Sequence, residues 1–185
     1  MKFALPSLEL APGSIICLHI PHGCDNVDGV LEDELLQLAR RQGKEAVISQ
    51  PAGFESGESS TDQSSVDWLS HAAGISEDQS SHVIAGLGIR VADRLAYNAG
   101  TPRCLMGLAA TLAREPDVIA YSTAGLDAEG CRTVHRFIES RCGQLCAVHI
   151  SYPTVFGDGS PHPRLCPPRG HCVELAGGFA NLGHG

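Results

Sequence analysis

An α/β fold with a central, mostly parallel sheet in three layers is predicted by two features of this sequence. Short, continuous apolar runs alternate with helix-period segments, and each junction between them carries turn or capping residues. At 185 residues the chain buries roughly 70% of its unfolded surface if it folds as one unit, so a single domain over 1–185 is expected. Its net charge of −8 leaves no Lys/Arg cluster for a nucleic-acid backbone or an anionic membrane surface, and no nucleic-acid partner is expected. Residues 1–20 hold one Lys, Glu9 and two prolines around their apolar residues, which reads as neither a signal peptide nor a membrane span. A cytoplasmic protein is expected, and its eight cysteines read as reduced, buried thiols.

In chain order, Gly13 and Ser14 precede an apolar strand over 15–20 that only His19 interrupts. Asp25, Asn26 and Asp28 are available as caps for a helix whose buried stripe is Leu31, Leu35 and Leu38, and Gly43 ends it. Residues 46–49 form a second strand closed by Gln50 and Pro51, and 52–65 is a Gly/Ser/Glu-rich loop expected to be mobile. Helical patterns follow at 66–73 and 82–95, together a small helical unit over 66–96, with Gly86 and Gly88 weakening the second. Leu105, Leu108, Ala109 and Leu112 recur at helical spacing until Glu115 and Pro116 stop the helix. Residues 118–121 make a buried strand, Asp127 caps a helix over 128–140, and 145–150 is the last strand before a Pro/Gly/His-rich tail over 157–185.

The succession of a helix, Ala113-Arg114-Glu115-Pro116-Asp117, a strand, and Ala124-Gly125-Leu126-Asp127 resembles the nucleotide-binding domain of ABC-type ATPases, which have the P-loop NTPase fold. In that family an "ARDPD"-like string precedes the Walker B strand, and an "AGLD" or "SGLD" D-loop follows it. Aligned on that pattern, 12–20 leads into the Walker A loop with Pro21 and Gly23 retained and Asn26 among the loop residues. Gln50 falls at the Q-loop, Asn98-Ala99-Gly100-Thr101 at the signature, Ala124 to Asp127 at the D-loop and Ser151 at the switch position.

The departures are chemical. A Walker A loop needs glycines to aim backbone N–H groups at the phosphates, a Lys to neutralise them and a hydroxyl for magnesium. Here Ile20, Asp25, Asn26 and Val27 stand at the matching positions. A carboxylate such as Asp25 about 4 Å from a phosphate charge costs roughly 4 kcal/mol at an effective dielectric near 20, about a thousandfold in affinity. The strand before Thr123 has no acid for the metal or the attacking water, and Ser151 has no His beside it. The resemblance therefore implies a degenerate ABC-type domain with no catalytic residues, no ATPase activity alone, and no cofactor. ATP and magnesium would enter only where a partner completes the site. It also implies pairing, with a second copy or with an intact ABC-type ATPase, through the D-loop, and membrane association only through a transporter.

Two alternatives stand beside that reading. One is the ATP-binding half of a composite site, with an anion at the helix end formed by Asn98 to Thr101. The other is a small metal-binding protein organised by His162, Cys166, His171 and Cys172, all zinc-ligand types. Cys142 and Cys146, four apart across a helix end, are open to pairing or metal binding, and buried thiols are the expected state. His19 and His149 are expected to sit side by side as hydrogen-bonded core residues. Cys24, with His22 two residues before it, is the loop thiol at a strand end, but adjacency in sequence does not set a nucleophile–base hydrogen bond.

Overall fold

Continuous apolar runs need cover on both faces, and a parallel sheet between helices supplies it. In the computed structural model, which describes residues 5, 8–20, 28–54, 63–152 and 166–175, five strands form one sheet. They are β1 (Ile15–His19), β2 (Ala46–Ile48), β3 (Val118–Ser122), β4 (Cys146–Ser151) and β5 (His171–Glu174), in the order β2-β3-β4-β1-β5. Every neighbouring pair is parallel. The helices are α1 (Asp28–Arg41), α2 (Ser65–Ala73), α3 (Glu77–Ala85), α4 (Gly100–Leu112) and α5 (Ala128–Arg141).

Alternation along the strands splits the core in two. Ile16, Leu18, Val118, Ala120 and Val148 face Leu31, Leu35 and Leu38 of α1. Ile15, Ile119, Tyr121 and Ala147 face the other way, against Leu105 and Leu108 of α4 and Val134 and Ile138 of α5. This gives three layers, and β3, whose Val118 to Tyr121 are all buried, lies inside the sheet. Among the described residues no helix is long and apolar enough to cross a membrane.

The local signals act where the sequence puts them. Asp127 accepts a hydrogen bond from the Gly130 amide at 2.7 Å and so caps α5, while Glu115 adopts a left-handed conformation (φ 52°) just after α4. The helix expected over 82–95 is corrected. Ser76 and Gln79 form a reciprocal capping box that starts α3 at Glu77, and the chain leaves the helix at Gly86, with Gly88 at φ +71°. Only a short 3₁₀ turn, Leu95–Tyr97, follows in that segment. Cys142 and Cys146 are both buried but belong to opposite cores, and their sulfurs bond separately to the Ser14 carbonyl and the Ser14 hydroxyl. Of the loop expected over 52–65, residues 55–62 lie outside the described residues, as does most of the tail over 157–185.

Candidate functional site

Helix α1, which follows β1, covers one face of the sheet, and α5, which follows β3, covers the other. Ligand crevices in open parallel sheets form at the carboxyl ends of strands where connections diverge in this way. A cleft of about 330 Å³ lies there, lined by Ser49, Gln50, Tyr121, Ser122, Ile150 and Tyr152, with Glu32 of α1 and the exposed Phe54 at its rim. Gln50 points its side-chain amide at Glu32 (Nε2 to Oε1, 3.3 Å). Ser122 accepts a hydrogen bond from the Ala124 amide, and Thr123 pairs with His149 at 3.0 Å, so both hydroxyls at the end of β3 have protein partners. Among the described residues Glu32 is the single carboxylate lining this cleft, and no Lys or Arg lines it. Pro21, Gly23 and Asn26, with His22, Cys24, Asp25 and Val27, lie outside the described residues.

The segments at the signature and D-loop positions meet in the fold. A Cβ on Gly100 would stand 2.7 Å from Leu126 Cδ2, and a Cβ on Gly130 would collide with the Thr101 hydroxyl. They share a cleft of about 260 Å³ with Arg103, whose buried Nε has no hydrogen-bond partner. Ala99, Gly100, Ala124, Gly125 and Asp127 are exposed, and Tyr97 is 75% exposed. Asn98 behaves differently. It is buried, accepts the Ala92 amide at 2.8 Å, and donates to Ser65 Oγ and the Ala92 and Arg94 carbonyls.

A third constellation crosses the sheet. Parallel register aligns Tyr121 of β3, His149 of β4, Cys17 of β1 and Cys172 of β5 in one row, and His19 follows Cys17 by two residues on the same face. His149 Nδ1 is 3.3 Å from Cys17 Sγ. On the far side of the row, Tyr121 Oη is 3.1 Å from His135 Nδ1, and the His135 and His149 rings meet edge to face at 4.6 Å. Burial, then the neighbouring His135 and His19, push His149 down to about 3, so it is neutral at physiological pH. Burial, then the Cys166 and Cys172 thiols, push Cys17 well up. His19 and His149 are not paired side by side as expected: His19 is level with Ser151, because a two-residue offset places Cys17 opposite His149.

Cys166, in the turn before β5, completes the group. Its sulfur lies 3.5 Å from Cys17 Sγ, 3.4 Å from Cys172 Sγ and 3.3 Å from His19 Nε2. The structure thus brings Cys166 and Cys172 together with Cys17 and His19, two residues that the sequence reading did not assign to a metal site. His171 is not part of the group, since neighbouring residues on a strand face opposite sides, and His162 lies outside the described residues. The Cys17-x-His19 spacing, two residues apart on a strand, was the available signal.

No family model matches this chain, and no curated protein matches it. Among solved structures, 304 chains match it. One is a putative metal-chelate type ABC transporter in an inward-facing conformation, 15% identical, with 78% of this chain and 70% of that chain covered and a TM-score of 0.55. At that identity the likeness is one of fold.

Proposed function

We propose that this chain is a non-catalytic, ABC-type ATPase-like subunit that acts by binding a partner: a second copy of itself or an intact ABC-type ATPase, on the cytoplasmic side of a transporter. The observation that carries this reading is the cleft at the carboxyl ends of β2, β3 and β4, where the described lining offers neither a cation for phosphate nor a carboxylate on β3 for magnesium. Phosphoryl transfer works by positioning and charge stabilisation, and such a lining supplies neither. The shared fold of the transporter chain supports the ancestry, and the exposed patch of Ala99, Gly100, Ala124, Gly125 and Asp127 supplies a surface at the segments through which that family pairs.

Calorimetry of the isolated protein with Mg-ATP is the direct test of the non-catalytic part. The expected result is no binding heat at nucleotide concentrations of roughly 0.1 mM, and no phosphate release above the no-protein control. Micromolar affinity would overturn it. Association is tested by sedimentation of the wild type and Ala124→Arg. The substitution leaves the Asp127 cap intact and sets a bulky charged chain in the exposed patch, so a dimer falling to monomer at unchanged Tm is expected. A wild type that stays monomeric at high concentration and recovers no ATPase from a native lysate removes the partner role.

A second reading has one observation of its own. Arg103, with its partnerless Nε, lines the cleft at the start of α4, which suits an anion presented by a partner. Under that reading Mg-ATP affinity appears only in the complex and falls in Arg103→Ala.

A further inference from the structure

We propose that Cys17, His19, Cys166 and Cys172 form a tetrahedral site for one zinc ion that fastens the C-terminal strand to the centre of the sheet. The four ligand atoms lie within 4.8 Å of one another. A tetrahedron with Zn–S near 2.3 Å and Zn–N near 2.0–2.1 Å has edges of about 3.5–3.8 Å. The contacts of Cys166 Sγ with Cys17 Sγ, Cys172 Sγ and His19 Nε2, at 3.5, 3.4 and 3.3 Å, are already close to those edges.

The origin of each ligand explains why the group is assembled in advance. Cys17 and His19 share one face of β1, which is hydrogen-bonded on both sides by β4 and β5. Parallel register sets Cys172 directly beside Cys17, at the strand spacing of about 4.8 Å. Cys166 closes the fourth corner from a turn whose Arg169 amide bonds to Glu139 of α5 at 3.2 Å. Two ligands sit on a rigid central strand and two on the segment to be anchored, an arrangement in which the ion acts as a clasp between them. Cys17 and His19 are buried, Cys166 is half-buried and Cys172 is exposed, so the site has a solvent-side entrance.

The group also has an outer shell of the kind metal sites use. His149 Nδ1 is 3.3 Å from Cys17 Sγ, and its other nitrogen is 3.0 Å from the Thr123 hydroxyl. With Cys17 as a thiolate ligand, Nδ1–H donates to the sulfur and Nε2 accepts from Thr123, which fixes both tautomer and ligand orientation. Thr123 begins the turn that leads to Ala124 and Gly125, so the outer shell reaches the exposed patch described above.

The test uses the full, tag-free chain, fully reduced, with Zn(II) as the probe and Co(II) as its spectroscopic substitute. One zinc per chain is expected after removal of excess metal. Co(II) is expected to give the intense visible bands of a tetrahedral ion together with thiolate charge-transfer bands, and Zn(II) to slow alkylation of Cys166 and Cys172. Loss of an outer-shell group alone typically weakens a site 10–100-fold, so Cys172→Ser, which removes an exposed ligand, is expected to weaken zinc by roughly 100-fold or more. His171→Ala, one residue away on the opposite face, is expected to keep both stoichiometry and spectrum. Substoichiometric zinc with an octahedral Co(II) spectrum overturns the site. So does equal loss in His171→Ala, or zinc retained unchanged in Cys172→Ser. All these readouts are taken without nucleotide or partner, so failure here leaves the ATPase-like reading untouched, and the reverse holds.

Discussion

Gly107→Ala is expected to destabilise the protein by about 2–3 kcal/mol, although alanine is the better helix former by about 1 kcal/mol. Gly107 is buried in the middle of α4, where a Cβ would overlap the Gln50 carbonyl oxygen and stand 3.0 Å from its carbonyl carbon and 3.4 Å from Pro51 Cα. All three neighbours are backbone, so no rotamer change relieves the overlap, and α4 must move away from the end of β2. For a chain of this size the loss corresponds to a Tm lower by about 5–10 °C. Gly29→Ala in α1 is the control, because a Cβ there meets nothing within 4 Å, and its expected Tm is unchanged or slightly raised. A Gly107→Ala protein as stable as the wild type would show that α4 does not approach Gln50 this closely. The same displacement would reach the cleft at the strand ends, since Gln50 and Pro51 line it.

Gly107 also shows where sequence reading stops. The helix around it was legible, because Leu105, Leu108 and Ala109 keep helical spacing and Glu115-Pro116 ends the run. Its closeness to Gln50 was not, because that depends on how α4 docks on the sheet. The strands over 15–20, 118–121 and 145–150 were legible because each is a continuous apolar run between capping or turn residues, and all three lie in the parallel sheet. Both ends of the second short helix were misplaced: the capping box of Ser76 and Gln79 starts it at Glu77 rather than 82, and it stops at Gly86 although helical composition persists beyond, with Gly88 left-handed.

The metal cluster divides along the same line. Cys166 and Cys172 stood out because they lie close together in a Pro/Gly-rich tail. Cys17 and His19 joined them only once β5 was known to pair with β1, a contact across about 150 residues of chain that no local pattern encodes. His171 was plausible from spacing and is excluded by the alternation of the strand. Local chemistry named the ligand types, and strand register chose the residues.

Asn98 turns a resemblance into a stability question. Its position in the sequence suggests a signature-loop residue, yet its side chain is buried and spends its amide on the protein. Oδ1 accepts from the Ala92 amide at 2.8 Å, while Nδ2 donates to Ser65 Oγ at 3.0 Å, the Arg94 carbonyl at 3.0 Å and the Ala92 carbonyl at 3.2 Å. These bonds reinforce a junction that the backbone also makes, through Ser65 to Asp93 and Leu95 to Gln63, where the start of α2 meets the approach to α4. Asn98→Ala leaves the Ala92 amide, the Ala92 and Arg94 carbonyls and the Ser65 hydroxyl without that partner, at about 1–3 kcal/mol for an unsatisfied buried group and about 1 kcal/mol for each further bond lost. The expected loss is therefore about 3 kcal/mol, with a Tm lower by about 6–12 °C and faster hydrogen exchange at the Ala92, Ser65 and Leu95 amides. Asn98→Asp keeps the acceptor but turns a carboxylate oxygen toward two carbonyls, so it is expected to be no better than alanine. A residue working mainly on a ligand would behave in the opposite way, with unchanged Tm and exchange and a loss only in binding. That outcome would move Asn98 from the scaffold to the anion-facing end of α4.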